Sequence, residues 1–187
     1  MASSDESPWV GSLKRFFDRL VRRSLGDLRM GGEPVADYLA GLLARFAHTE
    51  QLHALRDATG QPLETVVDML RDVQQAWAFD SPRFDPFRER EVRQHIGDYT
   101  LFMTGVFREH VERRATTGFY VREGKRAYRV VAAFERSALR PQANVFATLS
   151  AEFEGYAGAL TYMKRVYLRP ADFPPALQPT LRLLTEW

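Results

Sequence analysis

Nine consecutive residues, Tyr99-Thr-Leu-Phe-Met-Thr-Gly-Val-Phe107, constrain this chain more than any other feature. On a helix they are apolar almost all the way round, and such a helix is stable only when neighbours enclose it. The flanking spacing stays helical and predicts one long helix over 86–114 with this run at its centre. Gly97 and Gly105 fall inside it. Each costs about 1 kcal/mol of helix stability relative to alanine, so close packing by a neighbour is the expected reason for both.

The enclosing elements read as helices too. There is no alternating β-branched run and no Asn-Gly or Asp-Gly hairpin turn. A first helix starts near Ser7-Pro8 and breaks at Gly26 or at Gly31-Gly32; its apolar residues are Trp9, Val10, Leu13, Phe16, Phe17, Leu20 and Val21. A second opens at Pro34 and breaks at His48-Thr49, with Thr49 capping a short helix over 50–58. Pro62 opens a third long helix through Trp77, and Asp80 or Ser81 caps the central one. Beyond Thr116-Thr117-Gly118 a helix spans 119–138, with Tyr120, Gly124, Ala127, Val131 and Phe134 on one face.

The segment 142–168 is the most regular. Phe146, Leu149, Phe153, Tyr156, Leu160, Met163 and Tyr167 recur in steps of three and four. Ala143, Ala147, Ala151, Gly155 and Ala159 form a row of small residues beside them, which predicts a close helix crossing at Ala151 and Gly155. Pro170 ends this helix, and Leu177, Leu181 and Leu184 mark a short terminal one. The expected fold is all-α: a single-domain helical bundle over 1–187, of about six or seven helices around a buried central helix. With 187 residues, 45% of them hydrophobic, the chain can fill such a core.

Cysteine is absent, which excludes disulfides, thiolate metal sites and cysteine nucleophiles. No apolar stretch follows the polar N-terminus, and no run reaches the roughly 18 residues of a membrane span. A cytoplasmic location is expected. The formal net charge is only +2, but the charge is divided. Residues 31–80 carry three Arg against eight Asp/Glu, and residues 108–140 carry nine Arg/Lys against four Glu. Such a division can steer two parts of one chain, or two subunits, together.

Gly97-Asp-Tyr-Thr-Leu-Phe-Met-Thr-Gly-Val-Phe107, then Tyr120-x-x-x-Gly124-x-x-Ala127-Tyr128, and Tyr38-Leu-Ala-Gly-Leu-Leu-Ala-Arg-Phe46 resemble a pattern in a family of uncharacterised bacterial all-α proteins. The resemblance covers about half the chain. It implies an all-α fold and a bacterial origin, and it carries no activity.

Chemistry-bearing patterns are few. Glu50-x-x-His53, with His48 before it, puts a carboxylate and an imidazole on one helix face, as di-iron bundles do. Those sites need the motif twice, and the other combinations here (Glu91 with His95, Glu109 with His110, Glu152 or Glu154) do not repeat the spacing. No metal or other cofactor is expected. No Gly-x-Ser-x-Gly, phosphate-cradling glycine loop or His-Glu-x-x-His occurs. The arginines of 108–140 lack the overall charge and the recognisable module of a nucleic-acid binder. Asp18 and Asp27 dilute the basic face of the first helix, so membrane binding is not expected either.

Asp98 stands out, because it adjoins the most apolar stretch of the chain. A buried carboxylate needs a partner or takes up a proton. His95, an arginine of the 119–138 helix such as Arg126, or Tyr128 would serve. These four, Asp98, His95, Tyr128 and Arg126, are the candidate ligand-binding residues. The expected function is a non-enzymatic helical interaction or regulatory module, its partner another copy of itself (a homodimer) or another protein. The alternative is a small-ligand-binding bundle, or an enzyme built on one, with a pocket near the central helix.

Overall fold

A computed structural model describes residues 8–47, 54–57, 59–76, 85–114 and 116–185. Among them are nine α-helices and no strand: α1 (Pro8–Asp27), α2 (Glu33–Phe46), α3 (Val66–Ala76), α4 (Pro86–Val106), α5 (Arg108–Arg113), α6 (Thr117–Ser137), α7 (Ala143–Ala151), α8 (Phe153–Tyr167) and α9 (Gln178–Thr185). No helix among the described residues is long and apolar enough to cross a membrane.

The apolar run does form the enclosed centre. Every residue of α4 from Thr100 to Val106 is buried, and Phe107 beyond it too. Its most extensive neighbour is α6, followed by α8 and α3, while α1 packs on α2 and α8. The main core joins Leu13, Phe17, Leu39, Leu43, Phe102, Phe146 and Phe153. A smaller cluster of Leu55, Leu63, Val66, Met69, Val92 and Ile96 lies where α3 and the loop before it meet α4.

Both glycines of α4 mark close approaches. A Cβ on Gly97 would stand 2.6 Å from Tyr128 Cε1, and one on Gly105 2.7 Å from Leu160 Cβ. Gly124 on α6 is as tightly placed, 2.5 Å from both Phe153 Cε2 and Thr100 Oγ1.

Nine helices replace six or seven partly because two segments that read as continuous are broken. The 86–114 helix breaks at Phe107 (φ −113°, ψ 37°). A helix end leaves carbonyls without intrahelical donors. Here side chains of α8 supply them: the Thr161 hydroxyl donates to Gly105 O (2.8 Å) and Lys164 Nζ to Val106 O (2.9 Å). The 142–168 helix breaks at Glu152 (φ −111°, ψ 29°), next to Phe153, whose ring lies fully buried against Gly124 and Tyr128.

That second break overturns the reading of the small-residue row. Ala143 and Ala159, at its ends, are buried, but Ala151 and Gly155 are exposed, and a Cβ on Gly155 would meet only Met30 Cε at 3.3 Å. The row cannot line one helix crossing because its two halves belong to different helices.

Three boundaries also move. Residues 54–57 are not helical; Arg56 and Pro62 instead form an isolated antiparallel bridge, so the short helix expected over 50–58 is absent from its described part. The third helix starts at Val66, four residues after Pro62. Thr65 Oγ1 accepts from the Asp68 N–H (3.1 Å) and the Thr65 N–H donates to Asp68 Oδ2 (3.2 Å), a reciprocal cap with aspartate in the usual glutamate place. The cap of α4 is Asp85, which accepts from the N–H groups of Phe87 (2.9 Å) and Arg88 (3.1 Å). Asp80 and Ser81 lie outside the described residues.

Candidate functional site

Asp98 is buried, and two other helices, α2 and α6, supply its partners. Its Oδ1 accepts from the hydroxyls of Tyr38 on α2 (2.5 Å) and Tyr128 on α6 (2.9 Å); its Oδ2 accepts from Arg45 of α2 (3.0 Å). Gln94 Nε2 donates to the Tyr38 oxygen (3.1 Å). Burial pushes the Asp98 carboxyl above its ordinary range, while Arg45 and the two tyrosines pull the other way. Burial first, then the Asp98 charge, raises both tyrosines well above the usual phenol value, which keeps them protonated as donors.

Local geometry explains this arrangement. Tyr38 and Arg45 are seven residues apart, two turns of α2, and so share a face. Gly97, with no side chain, lets the Tyr128 ring lie against the α4 backbone, which brings its hydroxyl to the neighbouring Asp98. Phe146 of α7 packs near both tyrosine rings, 5.2 Å from Tyr38 and 5.9 Å from Tyr128 between centroids.

Of the four residues singled out in the sequence, Asp98 and Tyr128 meet directly. His95 is half-buried one turn before Asp98 and acts on its charge through space, its ring set edge-on to Phe46 and stacked near Tyr99. Arg126 is a correction. Two residues from Tyr128, it projects from the opposite face of α6 and is exposed; Arg45 takes the cationic place it was expected to fill. Glu50 and His53 lie outside the described residues. Among the described residues no three His, Asp or Glu come together as a metal-binding group.

The sequence reading missed Tyr38, Arg45 and Gln94. In the sequence Tyr38 falls among the apolar positions Val35, Leu39, Leu42 and Leu43 of its helix, and nothing local distinguishes Arg45 from other arginines. It missed Glu135 too, which is buried as are Glu89 and Glu123. Glu135 Oε1 accepts from Arg90 Nε (2.7 Å) and Arg140 (3.4 Å), and its Oε2 has no hydrogen-bond partner among the described residues.

Asp98 accepts three hydrogen bonds from the protein itself, so this cluster works as a tie between α2, α4 and α6. The open concave surface lies elsewhere. A groove of ≈ 780 Å³ runs between α1 and the proline-rich elbow before α9, with Phe16, Pro174, Ala176 and Leu177 as its apolar part and Lys14, Arg15, Arg19 and Arg22 along its rim. Lys14 pairs with Asp37 (2.9 Å), and Arg22 pairs with Asp18 (2.9 Å) and Glu33 (3.1 Å). Arg15 and Arg19, exposed and one turn apart, have no ion pair among the described residues. A smaller cavity of ≈ 210 Å³ sits at the α4–α5 break beside Lys164. Comparison with protein-family models, with curated proteins and with solved structures gives no match.

Proposed function

We propose that this chain is a cytoplasmic, non-enzymatic interaction module that docks an acidic protein segment bearing an apolar anchor in the groove between α1 and the elbow. The observation that carries this reading is the pair Arg15 and Arg19 on the groove rim, without an ion pair among the described residues while their neighbours Lys14 and Arg22 are neutralised. Guanidinium groups one turn apart suit charge-assisted, forked hydrogen bonds to carboxylates. The apolar floor supplies the desolvated patch that a leucine or aromatic anchor needs. Long-range attraction of an acidic partner raises its encounter rate, and salt weakens it.

Selection from a displayed peptide library, followed by fluorescence anisotropy, tests the proposal. The expected winners are acidic peptides with one large apolar residue. Their affinity should fall about tenfold or more in an Arg15→Glu/Arg19→Glu variant whose melting temperature is unchanged. Winners without an acidic consensus, or binding indifferent to the double reversal, would overturn it. A second reading has its own observation, the −5 charge of residues 31–80, which makes another copy of this chain an acidic partner. Sedimentation velocity separates the two: a salt-sensitive dimer abolished by the double reversal assigns the groove to self-association.

A further inference from the structure

The α4–α5 break exposes more than a kink. Its cavity of ≈ 210 Å³ is lined by Lys164, Thr161 and Arg165 from α8 and by Arg108 and Glu109 from α5. Lys164 is half-buried and makes no ion pair among the described residues. One of its three N–H donors goes to Val106 O (2.9 Å), and its ammonium lies 4.9 Å from the centre of the Phe107 ring. The remaining donors have no protein acceptor among the described residues. The nearby carboxylates are engaged by arginines: Glu112 by Arg108 (2.7 Å) and Glu109 by Arg165 (3.5 Å). Among the described residues the charged lining is therefore cationic, with Lys164, Arg108 and Arg165 against Glu109.

We infer that this cavity binds a phosphate group, free or as the monoester of a small molecule. An oxyanion there accepts the spare Lys164 donors and can draw on the terminal nitrogens of Arg108, whose Nε alone is committed to Glu112. At ≈ 210 Å³ the cavity lies below the roughly 300–1,000 Å³ of a drug-sized pocket, which suits a phosphate with at most a short organic group. Burial already holds the Lys164 ammonium below the ordinary lysine value, with Glu109 opposing, so an anion at this point relieves a desolvation cost built into the fold. The site uses no residue of the α1 groove and stands or falls apart from it.

Isothermal titration of the intact chain with inorganic phosphate and, separately, with glycerol 3-phosphate tests the inference at fixed ionic strength. Saturable binding of either is expected; the ligand bound more tightly distinguishes free phosphate from a monoester. Lys164→Gln should weaken it by about tenfold or more. Because Lys164 also caps α4, Arg108→Gln is the companion variant: it leaves the Val106 bond in place, and binding should weaken with the melting temperature held. No saturable heat with the wild-type chain at millimolar ligand, or affinity unchanged in Arg108→Gln, would overturn the assignment.

Discussion

Gly97 on α4 and Gly155 on α8 look alike in the sequence: each interrupts a helical pattern, and each was expected to mark a close crossing. Their surroundings differ completely. Gly97 lies under the fully buried Tyr128 ring, with no room for a Cβ, whereas Gly155 is exposed and faces only the end of Met30. A small residue permits close approach but does not cause it; a large partner must be there to use the space. At Gly97 that partner also reaches Asp98, so the Gly97-Asp98 dipeptide joins a packing contact to a hydrogen bond. The energetic weight of the bundle should accordingly sit on the α4–α6 face and be nearly absent around Gly155.

The largest effect is expected at Asp98. Asp98→Ala strands the hydroxyls of Tyr38 and Tyr128 in the core, and breaking a buried charged pair costs roughly 3–5 kcal/mol. Arg45 keeps a side-chain exposure of 42% and regains water when released, which places the loss near the lower end, about 3 kcal/mol. Urea denaturation followed by circular dichroism measures it. A loss below about 1 kcal/mol, the net worth of an ordinary hydrogen bond, would remove the α4–α6 face from its place in the comparison.

Gly97→Ala comes next. The new methyl would press on a ring with no freedom to move, an overpacking cost of about 1–3 kcal/mol, offset by up to about 1 kcal/mol of helix propensity. A net loss of about 1–2 kcal/mol should appear in the same urea titration. If Gly97→Ala instead stabilises the chain, the Tyr128 ring has room that the geometry denies it.

These residues also show what the sequence made legible. The all-α class, the enclosed run around Phe102, the tight sites at Gly97 and Gly105 and the need for a partner at Asp98 follow from periodicity and from the cost of burying charge. Tyr128 was found because a buried acid calls for a donor. Arg45 was not, since the pairing spans 53 residues and no local spacing encodes it. The breaks at Phe107 and Glu152 carry neither glycine nor proline at the breaking residue. They depend on tertiary partners, Lys164 and Thr161 for one, while the other coincides with Phe153 seated against Gly124. The α1 groove was equally hidden, because its walls come from opposite ends of the chain.

The smallest effect is expected at Gly155, where a Gly155→Leu substitution tests the exposed half of the comparison. The row pattern on its own predicts overpacking there. The structure reverses that sign, because the position faces solvent and its nearest side-chain atom, Met30 Cε, ends a flexible and only partly buried chain. Replacing an exposed helical glycine by leucine removes a backbone-entropy penalty of up to about 1 kcal/mol, and displacing a methionine methyl by a few tenths of an ångström takes little of that back. The melting temperature should therefore hold or rise slightly. A clear fall, comparable with that of Gly97→Ala, would mean that a large partner covers this row in solution, and Gly155 would then join Gly97 as a contact site.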